Sequence, residues 1–481
     1  MQILVFLLFL TYFTYPFQLF AVGTYGFTLI DLNYILLYSL FLKRVFWDGV
    51  KLQFSLNSVL IFFLLFIVAV FISAINPVMS SSPLMINQYL KTTSHFIYLI
   101  LFIFICFSYP ISNKIWTNVI RTWIVLGGLI NIFGIYQIVA RAYDLPLAWL
   151  DYSNVSLASR MDLQFYDIKQ LSMAYGDFFR ATSIFPEPSA LGMFNTYLFL
   201  FIFVPYVQGR KQFIRSSWLN GVFFSLMIAG SLLTFSMTGF VGIMLVILAA
   251  FLFERSRKLV SSIKFIALGL IVIIITDYYV SGYSGISVVE LFSRRISGLI
   301  HQGKKQEYTW GESFEVRKQG AELSYRVWED YPITGIGLGL TGYNKKHEIT
   351  FSDFSITQAL SETGIIGASS FAGLFFASFL LSYWYLKKKK FISILNDEDR
   401  RLAGLLFYLM IVMLIMNFIS GNNLVVMYFW IPYGMIVSSL NNMLIQADYK
   451  VYEFSVTKIP LKEHLKVKLK KYIESVNGTN E

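Results

Sequence analysis

The 481-residue chain is 56% hydrophobic and only 14% charged, and its formal net charge is +11. Soluble globular domains carry about 25% charged residues, so this composition excludes an ordinary soluble fold. The positive charge alternates with apolar runs instead of forming a basic domain, which argues against nucleic acid as a partner. The single cysteine excludes an intramolecular disulfide, and four scattered histidines without HExxH spacing argue against zinc. The sequence therefore predicts neither a metal site nor a cofactor.

Twelve apolar runs have about the length that a membrane helix needs. A hydrocarbon core about 30 Å thick takes about 20 apolar residues per helix. The first run has neither a basic region nor an A-x-A cleavage site, so we expect a retained span and not a signal peptide. The sequence predicts an all-α polytopic membrane protein. Its predicted spans are 2–22, 25–42, 55–75, 90–109, 119–140, 184–206, 216–235, 237–253, 260–279, 364–386, 402–420 and 423–442.

The basic residues follow the even-numbered spans, whereas short connections after odd-numbered spans are almost free of Lys and Arg. By the positive-inside rule, both termini are predicted to be cytoplasmic. The basic connections lie at 43–51, 114, 210–215, 255–264 and 387–401.

Two long segments, 141–183 and 280–363, follow odd-numbered spans and are predicted to face the opposite side. Because an eighty-residue structureless loop would be unusual, we expect helices in the second, with one over 313–331 that ends at Pro332. The predicted domains are spans one to nine (1–279), the large loop (280–363), spans ten to twelve (364–442) and a basic tail (443–481). The tail fits either an amphipathic helix on the anionic leaflet or a solvated segment.

The run FRATSIFPEPSALGM, residues 179–193, is the first candidate motif. Pro186 and Pro188 bracket Glu187 and predict a helix start. Arg180 and Glu187 would then lie at the outer membrane boundary, where ionisable residues point to function. Either they form a pair that fastens two helices, or the planar Arg180 guanidinium contributes to an anion cradle.

The second motif lies in the large loop and contains two arginines followed by a glycine-rich turn. Arg317 and Arg326 are nine residues apart, half a rotation out of phase on a regular helix. Both could face one site only if the helix breaks, for which Gly320 is the candidate. Pro332 followed by glycines at 335, 337 and 339 predicts a turn whose backbone can approach a ligand.

The third motif runs from His347 through Asp353 to Glu362 and enters the predicted span at Gly364. A histidine or aspartate at a membrane mouth can act as a general base for a hydroxyl. The alternatives are a solvated loop histidine for His347 and a helix anchor for Glu362.

These motifs, in this order, resemble the O-antigen ligase/polymerase superfamily of bacterial membrane glycosyltransferases, over most of residues 120–420. The family has an arginine before a proline-containing helix start, matched by Arg180 and FPEP at 185–188. It then has Ser-Arg-x-Gly, whereas this chain has Ser-Met-Thr-Gly at 236–239. It also has an arginine about fifteen residues before P-x-x-G-x-G, matched by Arg317. The histidine usual nine residues before the Glu-x-Gly glutamate is Asp353 here, so the identity of the base stays open.

The resemblance implies a GT-C-like fold and an enzyme in the bacterial inner membrane. Its implied reaction polymerises undecaprenyl-pyrophosphate-linked oligosaccharides into O-antigen, capsule or exopolysaccharide by inverting glycosyl transfer without metal or nucleotide sugar. Partners would be these lipid-linked substrates, membrane lipids, a chain-length regulator and a flippase. The implied roles are pyrophosphate binding by Arg180 and Arg317, a base at Asp353 or His347, and secondary substrate contacts from Arg326 and Glu187.

Two other functions stay open. A ligase of the same fold would transfer the finished glycan to lipid A or protein, and the FPEPS sequence only weakly favours the polymerase. A transporter or flippase of lipid-linked sugars would be expected to show an internal repeat and charges near the bilayer midplane. No clear repeat is visible between the two halves of the chain.

Overall fold

The computed structural model describes residues 1–22, 25–151, 178–254, 263–284, 312–343, 354–387, 396–419 and 427–454, with the short pieces 170, 174–175, 287, 289–290, 293 and 424. Most of these residues are helical. The helices are α1 (Gln2–Leu10), α2 (Leu29–Phe46), α3 (Ser58–Ile72), α4 (Ile75–Met79), α5 (Pro83–Ser108), α6 (Asn113–Ala142), α7 (Pro188–Val207), α8 (Ser217–Leu233), α9 (Met237–Phe253), α10 (Ile263–Ser284), α11 (Glu312–Asp330), α12 (Ser355–Lys387), α13 (Asp397–Ile419) and α14 (Met427–Gln446).

Six described helical segments are long and apolar enough to cross a membrane, and each overlaps a predicted span. They are Ser58–Met79, Pro83–Ser108, Asn113–Ala142, Pro188–Val207, Ser355–Leu386 and Asp397–Phe418. The other predicted spans fall on shorter or less apolar helices, such as Ser217–Leu233 and Met237–Phe253. The mostly helical architecture fits a membrane protein, and the count of twelve spans stays a prediction.

Three small antiparallel sheets accompany the helices: β1 with β2, β3 with β6, and β4 with β5. The strands are β1 (Gln18–Val22), β2 (Tyr25–Thr28), β3 (Leu52–Ser55), β4 (Ala174–Tyr175), β5 (Phe178–Phe179) and β6 (Val451–Phe454).

The hairpin of β1 and β2 corrects the first two predicted spans. The run 2–22 is not one helix: a 3₁₀ turn over Thr11–Thr14 follows α1, and Pro16 then precedes the hairpin. Proline has no N–H with which to continue a helix. α2 begins four residues later than predicted, because Thr28 and Asp31 form a capping box at its start.

One end of the helical bundle, here called the tail end, collects connections that hydrogen bond to one another. Ser55 N–H donates to Asn441 Oδ1 at 3.2 Å, and Asn113 Nδ2 donates to Asp399 Oδ1 at 2.7 Å. Arg401 Nη1 donates to the Lys211 carbonyl at 3.2 Å. The described residues of this end are 51–57, 107–114, 208–215, 396–401 and 439–454. The predicted tail helix beyond 454 lies outside the described residues.

An exposed ion pair joins the two strands of the tail-end sheet. Lys51 Nζ lies 2.7 Å from Glu453 Oε2, and Gln53 Nε2 donates to Glu453 Oε1 at 3.0 Å. The hydrogen bond to Glu453 raises the pKa of the Lys51 ammonium, and the bonds from Lys51 and Gln53 lower the pKa of the Glu453 carboxyl. Because both side chains face solvent, this pair contributes little to stability.

The opposite end, here called the loop end, carries the candidate motifs. Since α3, α6, α7 and α12 each have one terminus at the tail end, their other termini lie at the loop end. The loop end therefore brings together the end of α6, the start of α7, the turn after α11 and the start of α12.

Candidate functional site

The chain enters α7 through the proline-rich motif, as predicted. The helix begins at Pro188, and Glu187 is its N-cap residue. Glu187 is exposed, and its Oε1 accepts a hydrogen bond from Ser189 Oγ at 2.5 Å. Among the described ion pairs none joins Glu187 to Arg180. No described ion pair therefore supports the interpretation of this motif as an Arg–Glu pair that fastens two helices.

Arg180 caps the end of α8 instead. Its half-buried side chain donates from Nε to the Thr234 carbonyl at 2.7 Å. The neighbouring Ala181 N–H donates to the Leu233 carbonyl at 2.8 Å. The last carbonyls of a helix have no partner within it and carry partial negative charge, which favours a cation there. One edge of the guanidinium is thus committed to the helix end, which fixes the orientation of the group.

A second arginine, Arg141, holds the same segment from α6. Its side chain is only 7% exposed. Nη1 donates to the Arg180 carbonyl at 2.5 Å, while Nη2 donates to Thr182 Oγ1 at 2.6 Å and to Gln170 Oε1 at 2.8 Å. A buried guanidinium needs several acceptors because its desolvation is costly. The Arg180 segment supplies two of them.

Arg141 also fixes the chain that follows α6. Its Nε donates to the Ala148 carbonyl at 2.8 Å, and the guanidinium stacks over the Trp149 ring at 4.1 Å from the centroid. Sequence reasoning missed this residue. Its signal is an arginine at the end of a predicted span on the side that is otherwise almost free of basic residues, where the positive-inside rule disfavours one.

Gln170 completes the network beneath the Arg180 segment. It is buried, and its Nε2 donates to the Ser183 and Phe185 carbonyls at 2.5 and 3.0 Å. Its Oε1 accepts from Gln137 Nε2 at 3.0 Å as well as from Arg141. Gln170 thus joins α6, through Gln137 and Arg141, to the stretch that leads into α7.

The glycine-rich turn after α11 packs against the protein's own backbone. Gly335, Gly337 and Gly339 have φ angles of +72°, +119° and +76°. A Cβ on Gly335 would lie 2.3 Å from the Glu362 carbonyl carbon, and one on Gly339 would lie 2.4 Å from Thr92 Oγ1. The close approach that the glycines permit is to α12 and α5. Packing within the protein therefore accounts for these glycines, and the approach of this backbone to a ligand stays a prediction.

The partner of this turn is a break in α12. Gly364 has φ +66° and ψ −171°, which interrupts the helix at the position where the tenth span was predicted to begin. Gly337 N–H donates to the Glu362 carbonyl at 3.0 Å, and Ile365 N–H donates to the Pro332 carbonyl at 3.0 Å. We call the turn 332–340 and the break 361–365 together the glycine clasp.

Glu362 anchors the clasp from its side chain. It is 3% exposed, and its Oε1 accepts hydrogen bonds from Thr341 Oγ1 and Gln358 Nε2, both at 3.1 Å. Asn76 of α4 donates from Nδ2 to Thr334 Oγ1 at 2.8 Å and to the Gly335 carbonyl. These contacts favour the anchor interpretation of Glu362.

The helix that carries Arg317 and Arg326 is α11, which matches the predicted helix 313–331. It runs without a break through Gly320, so positions 317 and 326 lie on opposite sides of it. Arg326 is exposed. Position 317 adjoins the face that carries the buried residues Gly320, Ser324 and Val327. This register favours Arg317 over Arg326 as the candidate for ligand binding. The Arg317 side chain lies outside the described residues, as do His347 and Asp353.

The Ser-Met-Thr-Gly motif at 236–239 forms the start of α9. Ser236 is the N-cap residue, and its Oγ accepts from Gly239 N–H at 3.4 Å. A Cβ on Gly239 would lie 2.7 Å from the Gly192 Cα, so these glycines let α7 and α9 cross closely. The motif thus has a packing function in this fold.

An open cavity of about 430 Å³ lies at the loop end beside the clasp. This volume falls within the range of about 300–1,000 Å³ that small-molecule sites have. Its lining residues are Leu84, Asn87, Gln88, Lys91 and Tyr343. Within the described part of the chain, no group of three or more His, Cys, Asp or Glu side chains could hold a metal ion.

The chain matches no protein-family model and no curated protein.

Proposed function

We propose that the protein polymerises undecaprenyl-pyrophosphate-linked oligosaccharide repeat units into O-antigen, capsule or exopolysaccharide. In this proposal the chain spans the bacterial inner membrane with both termini in the cytoplasm, and the loop end faces the opposite side. A growing glycan on the lipid pyrophosphate is the donor, and a second lipid-linked repeat is the acceptor. Inversion at the anomeric carbon accompanies the transfer, and no metal takes part.

The observation that carries the proposal is the placement of Arg180. It sits eight residues before the first residue of α7, at the loop end, with Nε fixed on the Thr234 carbonyl and its guanidinium half-buried. Arginine's planar fork suits a pyrophosphate, and a pre-oriented cation stabilises the negative charge that develops on a leaving group. Position 317 on α11 supplies the second cation of the proposed site.

Apart from binding the pyrophosphate, glycosyl transfer needs few groups from the protein. Pyrophosphate is already a good leaving group, so the protein needs cations on it and a base for the acceptor hydroxyl. We assign the base to Asp353 or His347, in the stretch that leads into α12. Arg326, exposed on the far side of α11, and Glu187 are secondary substrate contacts in this proposal.

The test uses the purified protein in proteoliposomes with a defined undecaprenyl-pyrophosphate-linked repeat. The proposal expects a ladder of glycan lengths. Addition of one glycan to a different acceptor without a ladder would establish a ligase, and movement of the lipid across the bilayer without new linkages would establish a transporter.

The base is identified by two separate variants, Asp353→Asn and His347→Ala. The variant that lacks the base is expected to lose about 100-fold or more of its polymerisation rate, the usual contribution of a general base. The other is expected to stay near the wild-type rate. Equal, small effects in both would remove both residues from the proposed mechanism.

A further inference from the structure

We infer that Arg141 is a positioning residue for Arg180, and that the two act as one unit in binding the pyrophosphate group of the lipid-linked donor. The inference rests on the proposed function. In it, Arg180 contacts the anion, and Arg141 acts only by holding the segment that carries Arg180.

One buried side chain, that of Arg141, links several segments of the chain. Arg141 lies on α6, and its guanidinium donates to the loop after α6 at Ala148, to Gln170, and to the stretch 180–182 that leads to α7. These four acceptors are neutral oxygens. A guanidinium can donate hydrogen bonds to all four at once because its donors form a rigid planar fork. A lysine presents its three donors from a single atom and cannot do so.

Arg180 itself is held at two points. Its carbonyl accepts from Arg141 Nη1 at 2.5 Å, and its Nε donates to the Thr234 carbonyl at 2.7 Å. Backbone and side chain are thus both fixed before any ligand arrives. A pre-ordered cation spares the ordering cost that a flexible arginine meets on binding, so affinity depends on the groups that order it.

The backbone close to Arg180 is strained. Ser183 has a φ of +53°, a left-handed conformation that costs a residue with a Cβ about 1–2 kcal/mol. Gln170 Nε2 binds the Ser183 carbonyl, and Ser183 Oγ donates to the Ile130 carbonyl at 2.6 Å. The network around Arg141 therefore maintains a conformation that the segment would leave if released. Such strain is typical of functional sites.

The experiment measures binding of undecaprenyl pyrophosphate, without glycan, to the purified full chain in nanodiscs. The variants are Arg141→Ala, Arg141→Lys, Arg180→Ala and the double variant of Arg141→Ala with Arg180→Ala. Arg121→Ala is the matched control, because Arg121 also reaches a backbone carbonyl, that of Phe213 at 3.0 Å, but at the tail end. Melting temperatures of all variants accompany the binding data.

The expected result is a loss of affinity of about tenfold or more in Arg141→Ala, Arg180→Ala and Arg141→Lys. The double variant should lie within about twofold of Arg180→Ala, because residues that act as one unit are not additive. A purely structural role would lower the melting temperature and give independent, multiplying losses. Arg121→Ala should bind like the wild type.

Two outcomes overturn the inference: wild-type affinity in Arg141→Ala, or a double variant whose loss is the product of the two single losses. Absence of lipid pyrophosphate binding in the wild type also overturns it. The polymerisation ladder is a separate readout. If binding and its non-additivity are found without a ladder, the proposed function fails while the role of Arg141 stands.

Discussion

The Arg180 segment and the glycine clasp lie at the same end of the bundle, yet buried side chains make most of the contacts of the first, whereas direct backbone hydrogen bonds join the two stretches of the second. Around Arg180, buried Arg141 and Gln170 reach across from α6 and the loop after it. In the clasp, N–H groups of residues 336 and 337 pair with carbonyls of residues 361 and 362. Only the first region leaves a cation partly open to solvent.

The glycine motif of the clasp and the Arg180 motif are therefore used differently in this fold. Glycines with positive φ allow two stretches of backbone to touch, and here both stretches belong to this protein. The clasp therefore sets where α11 ends and where α12 resumes after its break. This fixes the placement of α11, the helix that carries position 317. In the proposed function, the Arg180 segment supplies the chemistry and the clasp supplies rigidity.

The largest expected effect is on folding, from alanine in the clasp. In Gly335→Ala or Gly364→Ala, the new Cβ would lie 2.3 or 2.1 Å from backbone atoms, and the positive φ adds strain. Together these cost about 2–5 kcal/mol, so little folded protein should be recovered. Size-exclusion profiles and melting temperatures in detergent measure the effect.

Gly221→Ala is the control for the clasp variants, because nothing lies within 4 Å of a Cβ there. Inside α8 this change should leave stability equal or raise it by up to about 1 kcal/mol. Normal melting of Gly335→Ala would show that the clasp is not rigid backbone packing.

A smaller effect is expected from removing one hydroxyl in each region. Thr182→Val takes away one of the two acceptors of Arg141 Nη2, the one at 2.6 Å, at a cost of about 1–3 kcal/mol. It should also weaken undecaprenyl pyrophosphate binding several-fold. Thr363→Val removes only the bond from Thr363 Oγ1 to the Ala359 carbonyl, worth about 0.5–1.5 kcal/mol.

The two threonine variants test the comparison directly, since both residues are buried and both changes preserve shape. Lipid pyrophosphate affinity should fall in Thr182→Val and remain at the wild-type value in Thr363→Val. The same affinity in both variants would remove the distinction between the two regions.

The smallest effect belongs to the exposed pair of Lys51 and Glu453, which serves as a baseline far from either motif. Because hydrogen bonds lower the pKa of Glu453, the contribution of its carboxylate to stability is present above the ordinary pKa near 4.5. This contribution is lost as pH falls through the lowered value. Because the pKa of Lys51 is raised, its contribution is present below about pH 10.5 and is lost as pH rises through the raised value.

The pH prediction is checked by the melting temperatures of the wild type and Glu453→Gln. Their difference should be small and constant between about pH 5 and pH 10, and it should shrink towards acid and with added salt. A difference that grows below pH 4 would contradict the assignment of the carboxylate as the charged partner.

Local sequence signals predicted the helix boundaries that proline and glycine control. Pro188 starts α7, Pro332 follows the end of α11, and Gly364 breaks α12, each where the chain lacks an N–H or adopts a positive φ. The first hairpin was missed because the run 2–22 is mostly apolar and carries no charged side chain, although Pro16 marks the end of the helical part.

Tertiary features could not be predicted in the same way. The pairing of β3 with β6 joins residues about 400 positions apart, and no local pattern encodes it. The role of Arg141 depends on Gln170 and Thr182, which are brought to it only by the fold. The glycine turn was predicted to approach a ligand. A sequence shows that the backbone at such glycines must lie close to another group, but it does not show which group that is.

The central claim is that a cation at position 317, together with Arg180, binds the donor pyrophosphate. Polymerisation by Arg317→Ala and Arg326→Ala, at matched amounts of folded protein, tests it most directly, because α11 places the two positions on opposite sides. The account predicts loss of the glycan ladder in Arg317→Ala and a ladder of at least near wild-type length in Arg326→Ala. Full polymer length in Arg317→Ala would contradict it.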